Sequence, residues 1–160
     1  MTAAPSLELR LAIEDLNSAY CAALDDGRYE EWPELFAEDC LYRIVPRDNY
    51  ERDLPIALMH CESKGMLKDR VIAVRQTAFY LPRFLRHIVS GIRSTVEADG
   101  TIRSTANYLV VQTLPEQPTE LFNSGRYLDV ILREEGGLRF KERLCVFDSI
   151  VVPNSLVVPI

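Results

Sequence analysis

The sequence predicts an α+β fold, in which helices from the first half of the chain cover one face of a curved antiparallel sheet formed by the second half. From Ser6 to Asp26, apolar residues recur every three or four positions, which predicts a helix with one buried face. Beyond Phe84 the chain consists of long segments rich in β-branched and aromatic residues, separated by residues typical of turns. The helices therefore precede the sheet along the chain.

The first half contains the predicted helices and two short strands. The first helix is expected to begin after a cap at Ser6 and to end at Gly27. A second, short helix is predicted over residues 29–36, with Pro33 in its first turn, where a missing N–H costs little. The other predicted elements of this half are a strand over residues 40–45, a polar loop over 47–54, a short strand over 56–61 and a helix over 64–76.

The second half is predicted to form an antiparallel meander of four long strands. Asp99-Gly100 and Gly136-Gly137 are typical of tight hairpin turns, and residues 115–118 form a looser link. The strands are expected over residues 84–98, 101–114, 120–133 and 138–152.

The last of these strands alternates between apolar and polar side chains. The even-numbered positions, called here the apolar parity, carry Leu138, Phe140, Leu144 and Val146. The odd-numbered positions, called the polar parity, carry Arg139, Lys141 and Arg143. Only Glu142 interrupts the apolar parity. Because successive side chains of a strand point to opposite faces, the polar parity is predicted to be exposed.

The composition is that of one globular domain covering residues 1–160. No apolar run approaches the ~20 residues needed to span a bilayer. The net charge of −6 argues against nucleic acid as the main partner, because phosphate binding needs a basic surface. The N-terminus lacks a secretion signal pattern, so a cytoplasmic location is expected. The four scattered cysteines are expected to be buried and reduced.

Few residue patterns in the sequence are typical of catalytic, metal-binding or cofactor-binding sites. An iron site of two histidines and a carboxylate would have to use His60 and His87, but no short spacing links them, which favours structural or surface roles. The sequence also lacks the closely spaced cysteines and histidines of a Rieske cluster, a glycine-rich phosphate loop and a GxSxG nucleophile motif. We therefore assign no catalytic, cofactor-binding or metal-binding residue from the sequence.

Residues 20–42, with the sequence YCAALDDGRYEEWPELFAEDCLY, resemble the opening of the NTF2-like (cystatin-like) superfamily. The shared pattern is a long helix, an Asp-x-Gly turn, a short helix ending in Leu-Phe-Ala-x-Asp, and an outgoing strand. The resemblance implies a single cone-shaped domain. Members include ketosteroid isomerase, scytalone dehydratase, transport-factor domains and dioxygenase small subunits, so the fold alone leaves the function open.

Compared with the isomerase type, this sequence has the tyrosine but lacks the general base. In that type a tyrosine on the first helix donates to the developing oxyanion, and an aspartate on the first strand acts as general base. Tyr20 matches the tyrosine, but the place of the aspartate, 24 residues later, is taken by Ile44, which cannot accept a proton. A free-standing lyase or isomerase would need another acid–base set, such as His87 with Tyr20 or Tyr108.

Further runs resemble the small subunits of bacterial aromatic-ring-hydroxylating dioxygenases. They are residues 62–71 (ESKGMLKDRV), 86–90 (RHIVS), 124–129 (SGRYLD), 138–143 (LRFKER) and Asp148-Ser149. The ending PNSLVVPI, residues 153–160, is most similar to the subgroup that acts on aromatic carboxylates such as terephthalate, anthranilate or salicylate.

This second resemblance implies a division of labour between two subunits. The large subunit would carry the Rieske [2Fe-2S] cluster and the mononuclear iron. The small subunit would hold no cofactor and act as a non-catalytic structural partner, commonly in an α3β3 assembly. Ferredoxin and reductase proteins would deliver electrons from NAD(P)H to hydroxylate an aromatic acid. A ligand-binding or scaffolding module of the same fold is the further alternative.

Two features are candidates for the surface that contacts such a partner. One is the exposed parity of the last strands. The other is the apolar tail from Ile150 onward, because exposed apolar segments are commonly covered by a partner. Packing of this tail within its own domain is an equally good interpretation.

Overall fold

The computed structural model describes residues 3–78, 80–149 and 156–160. Its helical elements are α1 (Leu7–Asp25), a 3₁₀ turn (Trp32–Leu35), α2 (Arg47–Glu51), α3 (Lys64–Ile72) and a π-helical turn (Ala73–Thr77). Its strands are β1 (Phe36–Pro46), β2 (Met59–Cys61), β3 (Phe84–Val96), β4 (Ile102–Thr113), β5 (Glu120–Glu134) and β6 (Gly137–Phe147). Within these ranges, no helix is long and apolar enough to cross a membrane.

The first helix forms where the apolar periodicity predicted it. The Ser6 side chain accepts a hydrogen bond from the Leu9 N–H at 3.2 Å and so caps the first turn. Gly27 adopts a φ of 68°, a left-handed conformation that commonly follows the end of a helix. The buried face of α1 consists of Leu9, Ile13, Leu16, Asn17, Tyr20, Ala23 and Leu24. The predicted bounds of this helix are confirmed to within one residue.

The described strands form one sheet in the order β2-β1-β6-β5-β4-β3. The pairs β3–β4, β4–β5 and β5–β6 are antiparallel, which confirms the predicted meander. β1 runs parallel to β6 and antiparallel to β2, so the first strand joins the sheet beside the last one. Because α1 packs against β3 and β6, one face of the sheet becomes the inner face, and the predicted α+β class is confirmed.

Two elements of the first half differ in kind from the prediction. Residues 47–54, predicted to be a loop, contain α2, which has no buried residue and is supported by an exposed Arg47–Glu51 ion pair at the spacing of adjacent helical turns. The helix predicted over residues 29–36 is a single 3₁₀ turn, because Phe36 already pairs with β6 as part of a strand.

Other elements exist as predicted but have different lengths. The first strand spans Phe36–Pro46 and is longer than the predicted 40–45, whereas the short strand predicted over 56–61 is confined to β2. The helix predicted over 64–76 is α3 followed by the π-helical turn. The last strand ends at Phe147, and its predicted continuation over 150–152 lies outside the described residues.

The pairing of β6 with β5 contains a bulge that reverses the predicted alternation. Phe140 and Glu142 lie opposite consecutive residues of β5, so Lys141 is an extra residue in the ladder. Side chains beyond the bulge therefore exchange faces relative to those before it. Arg143, predicted to be exposed, is 0% exposed, and the prediction is wrong because strict alternation does not allow for an extra residue.

Gly125 on β5 has no room for a side chain. A Cβ at this position would lie 2.7 Å from the Cα of Phe147 and would overlap the Val146 carbonyl oxygen. We expect Gly125→Ala to lower the free energy of unfolding by about 1–3 kcal/mol, as overpacking of a core does, measured by urea denaturation.

Gly65 in α3 is a matched control, because a Cβ there would meet only Ser63 Oγ at 3.6 Å, an ordinary contact. Gly65→Ala should stabilise the protein by up to about 1 kcal/mol through a lower entropic cost of forming the helix. Equal effects of the two substitutions would show that the sheet accommodates a side chain at Gly125.

Candidate functional site

The interior of the cone, between α1 and the inner face of the sheet, contains a buried ion pair. Arg143 on β6 lies opposite Asp129 on β5, and its Nε and Nη2 atoms donate to the two carboxylate oxygens at 2.9 and 2.8 Å. Both side chains are 0% exposed. Asn17 on α1 accepts a further hydrogen bond from Nη2 at 2.5 Å. The guanidinium thus connects the sheet to the helix from within.

Aromatic rings enclose the same guanidinium. Its central carbon lies 4.2 Å from the ring centre of Tyr20, 4.1 Å from that of Tyr127 and 3.9 Å from that of Phe140. A cation is attracted to the face of an aromatic ring, and the attraction is stronger away from water. Arg143 therefore occupies space between α1 and the inner face of the sheet.

Burial and the ion pair act in opposite directions on the Asp129 carboxyl. Loss of solvent raises its pKa above the ordinary value, and the charge and hydrogen bonds of Arg143 oppose this change. A general base must be within hydrogen-bond reach of the proton that it takes. Both oxygens of Asp129 accept from Arg143, so the carboxylate is held in place by the ion pair.

A second polar cluster surrounds Ile160. The main-chain oxygen of this residue accepts hydrogen bonds from the hydroxyls of Tyr20 at 2.6 Å and Tyr42 at 2.9 Å, and from the thiol of Cys145 at 3.3 Å. Burial raises the pKa of both tyrosines well above the ordinary value, so both remain neutral donors.

The tail segment, defined here as residues 156–160, packs within its own domain. Val158 and Ile160 belong to the hydrophobic core, and the Arg70 guanidinium donates to the Leu156 oxygen at 3.2 Å. Of the two roles considered for the apolar tail, intramolecular packing is the one adopted by this segment. Residues 150–155 of the predicted tail lie outside the described residues.

His87 on β3 is paired with Asp25 at the end of α1. One oxygen of the Asp25 carboxylate accepts from the His87 main-chain N–H at 2.9 Å, and the other lies 2.6 Å from the imidazole Nδ1. A groove of about 430 Å³ runs between α1 and β3 at this point. The imidazole itself is 0% exposed, so it is closed off from solvent in the groove.

In the acid–base set considered for a free-standing lyase or isomerase, the tyrosine hydroxyls have partners other than His87. The Tyr108 hydroxyl donates to Asn123 at 2.7 Å, and the Tyr20 hydroxyl donates to the Ile160 oxygen. The side chain that pairs with the His87 imidazole is that of Asp25, which the sequence interpretation did not include. The Tyr20 ring packs edge-on against the imidazole, with ring centres 6.5 Å apart.

The residues considered for a metal site are also apart from one another. His60 on β2 lies at the surface, 3.2 Å from the Glu62 carboxylate, whereas His87 is paired in the core. In residues 3–78, 80–149 and 156–160, no group of three or more His, Cys, Asp or Glu side chains is placed to hold a metal ion. The four cysteines are free thiols, and all except Cys21 are buried.

Comparison with known proteins gives these features a family context. The SnoaL-like domain model matches residues 5–144. The anthranilate 1,2-dioxygenase small subunit of Burkholderia cepacia is 38% identical over 145 residues, which cover 91% of this chain and 90% of that protein. The chain belongs to the SnoaL-like family, among the small subunits of aromatic-ring-hydroxylating dioxygenases. The terephthalate 1,2-dioxygenase terminal oxygenase component subunit beta 1 of Comamonas sp is 34% identical to this small subunit over 94% of the chain and 97% of that protein.

Solved structures agree with this assignment of the small subunit. The beta subunit of a proposed aromatic-ring-hydroxylating dioxygenase from Novosphingobium aromaticivorans is 39% identical and superposes with a TM-score of 0.85, covering 94% of this chain and 95% of that one. Naphthalene 1,2-dioxygenase with indole bound in its active site gives a TM-score of 0.79 over 96% of this chain and 86% of that one. That second likeness, at 15% identity, shows the fold alone. The predicted family and cone fold are confirmed.

Sequence reasoning missed the ion pair at the centre of this small subunit. Asn17 follows Ile13 by four residues on the apolar face of α1, and Asp129 shares the buried parity of Tyr127. A polar residue at an apolar position is the signal that points to both. Arg143 gave no such signal, because the bulge before it changes the parity of the strand.

The fold of the small subunit should tolerate apolar replacement of both charges of the buried ion pair, but not the loss of one charge alone. We expect Asp129→Leu to lower the free energy of unfolding by about 3–5 kcal/mol, because Arg143 is left charged and unpaired in the core. The double variant Asp129→Leu/Arg143→Met should recover most of this loss, because apolar side chains then replace both charges. Urea denaturation followed by circular dichroism measures both values.

The exposed pair Arg47–Glu51 is the control, since its side chains are 53% and 55% exposed. Glu51→Gln should change the free energy of unfolding by less than about 1 kcal/mol. A double core variant no more stable than Asp129→Leu alone would contradict the proposed role of the buried pair.

Proposed function

We propose that this small subunit is a non-catalytic, structural partner that braces the iron-bearing large subunit of an oxygenase acting on aromatic acids. The observation that carries the proposal is the 38% identity to the anthranilate dioxygenase small subunit over 91% of the chain. The large subunit would hold the Rieske cluster and the mononuclear iron, and ferredoxin or reductase proteins would supply electrons. We propose an α3β3 assembly in the cytoplasm.

The interior of the domain supports a structural role. The guanidinium of Arg143 and the rings around it fill the space between α1 and the sheet, and the Ile160 oxygen takes up the hydroxyls of Tyr20 and Tyr42. Since these polar groups bond to one another, the outer surface is the part through which the subunit would act.

The outer face of the sheet carries an apolar patch that we propose as the contact surface for the large subunit. The outer apolar patch consists of Phe84, Ile88, Leu109, Val111 and Leu121, of which Phe84, Ile88 and Leu121 are 68%, 52% and 59% exposed. Strand pairing places Ile88 beside Leu109 and Val111 beside Leu121, so the patch is continuous across β3, β4 and β5. Contiguous exposed apolar side chains of this kind mark interaction sites.

Basic residues adjoin the outer apolar patch, although the chain as a whole has a net charge of −6. Arg86, whose side chain is 63% exposed, lies beside Val111, and the exposed Arg126 lies two residues along β5 from Ser124, the partner of Leu109. Opposite charges across an interface favour correct pairing. We therefore infer that the matching surface of the large subunit is apolar with an acidic rim.

Assembly and metal content test the proposal as a whole. The isolated small subunit should purify without stoichiometric iron and without oxygenase activity, because the iron ligands of the enzyme would lie in the large subunit. Co-expressed with that subunit, it should elute in one larger iron-containing complex. Metal analysis and size-exclusion chromatography with light scattering measure both. Tight, stoichiometric iron in the isolated chain would refute the non-catalytic role.

A matched pair of isoleucines tests the proposed contact surface. Ile88 in the outer apolar patch and Ile72 on α3 are 52% and 51% exposed. We expect Ile88→Asp to weaken binding to the large subunit at least about tenfold, because a desolvated carboxylate would enter the interface. Ile72→Asp should leave binding unchanged. The affinity can be measured by titration of the purified subunits, with circular dichroism to confirm folding. If Ile88→Asp binds as well as the unmodified chain, the patch is not the interface.

A further inference from the structure

The outer face of the sheet has a depression at the point where β3 bulges. Ser90 lies opposite Asn107 on β4, but the next pair along the ladder is Arg93 with Thr105, so β3 has one extra residue here. The depression has a volume of about 340 Å³, and its lining includes Arg93 on β3, Thr105 and Asn107 on β4, and Arg126 on β5. It adjoins the outer apolar patch, because Asn107 is two residues from Leu109 on β4.

Gly91, within the bulge, keeps this depression open. Its φ of 64° lies in the left-handed region, which glycine adopts at little cost. A Cβ at this position would lie 3.0 Å from the Asn107 Nδ2 atom, which is closer than an ordinary van der Waals contact. The absence of a side chain at Gly91 therefore leaves room for the Asn107 amide beside the two arginines.

The two arginines that line the depression have no acidic partner in the described part of the chain. Within residues 3–78, 80–149 and 156–160, the guanidinium groups of Arg93 and Arg126 form neither an ion pair nor a hydrogen bond. By contrast, Arg103 on the same face pairs with Glu97 at 3.4 Å. Two positive charges without a counter-charge thus face one depression, although the chain has a net charge of −6.

One small anion can contact both guanidinium groups. Neighbouring strands lie about 4.8 Å apart, so β3 and β5 are roughly 10 Å apart with β4 between them. Arg93 lies opposite Thr105, and Arg126 lies opposite Asn107, two residues away on the same face of β4. Two long side chains that approach from opposite sides can therefore donate to one anion above β4. The Asn107 amide and the Thr105 hydroxyl supply further donors at the floor of the depression.

A carboxylate on a protein partner suits this depression better than a free anion does. Arg93, Thr105, Asn107 and Arg126 are all exposed, so the depression does not enclose a small ligand, whereas small-molecule sites bury most of their ligand. The depression instead continues the outer apolar patch, as the polar rim of a protein interface continues its apolar centre. Guanidinium groups bind carboxylates through paired, charge-assisted hydrogen bonds.

We propose that Arg93, Asn107 and Arg126 bind the carboxylate of one aspartate or glutamate side chain on the surface of the large subunit. This contact rests on the proposed function, because it needs that partner, and it adds one defined polar bond at the border of the outer apolar patch. Apolar contact is non-directional, so the patch alone does not fix how the two subunits are aligned. A carboxylate held by two arginines fixes the register of the interface.

Glutamine variants of the arginines test this contact by titration of the purified small subunit with the large subunit. Arg93→Gln and Arg126→Gln should each weaken binding roughly fivefold or more, because charge-assisted hydrogen bonds are lost. Arg103→Gln removes the same charge from the same face, but from a side chain already paired with Glu97, so binding should change by less than about twofold. Equal losses in all three variants would show a general effect of charge and overturn the proposal.

A chemical cross-link identifies the group that occupies the depression. In the complex containing Arg126→Lys, a water-soluble carbodiimide should couple the introduced amine to the contacting carboxylate, and mass spectrometry should assign it to one Asp or Glu of the large subunit. Arg103→Lys is the matched control and should give no cross-link to the large subunit. If the depression binds only a free anion such as phosphate, no cross-link to the large subunit forms with either variant, and the proposal is overturned.

The outcomes separate this contact from the proposed function. If no complex with the large subunit forms, the proposed function and the carboxylate contact both fail. If the complex forms and Ile88→Asp weakens it, but Arg93→Gln and Arg126→Gln do not, the carboxylate contact alone fails. Because both arginines are exposed, their substitution should leave the fold intact, which circular dichroism of each variant checks.

Discussion

A guanidinium in an aromatic core has to be neutralised, because an unpaired charge away from water is among the most costly groups that a fold can bury. In this small subunit Asp129 neutralises Arg143 through two hydrogen bonds, and Asn17 accepts a third from the helix above. The same guanidinium is in contact with three aromatic rings. The relative position of α1 and the sheet is thus fixed by one side chain as well as by apolar packing.

One extra residue in β6 creates this arrangement. The bulge at Lys141 turns Arg143 towards the core, and Cys145 follows with the same parity. Without the bulge, strict alternation from Phe140 would direct both side chains outward. The inward positions of Arg143 and of the Cys145 thiol beside the Ile160 oxygen therefore have a common origin in a local irregularity of one strand.

Because side chains fill the interior around Arg143, the outer surface is the part of the domain that is available to contact other molecules. The cone fold accommodates enzymes and structural subunits alike, so its function depends on what the inner and outer faces present. Here Arg143 is hydrogen-bonded to Asp129 and Asn17 inside the domain. Exposed apolar side chains such as Phe84 and Ile88 gather on the outer face. This distribution is the one expected of a subunit that acts by assembly.

Local signals were readable from the sequence, whereas long-range ones were not. The cap at Ser6, the stop at Gly27 and the meander depend on neighbouring residues, and the family follows from runs spread along the chain. α2 was missed because it buries no side chain and so has no apolar periodicity. The parallel pairing of β1 with β6 and the partners of Ile160 join residues far apart in the chain, which no local pattern encodes.

We propose that the polar interior is structural and that the subunit acts through its surface. The most direct test is the turnover per iron of the purified oxygenase complex assembled with Asp129→Leu/Arg143→Met. We expect the same turnover as with the unmodified small subunit, because the inner ion pair would take no part in the reaction. A complex that assembles fully and holds its iron, but loses most of its turnover, would show that the interior of the small subunit does more than support the fold.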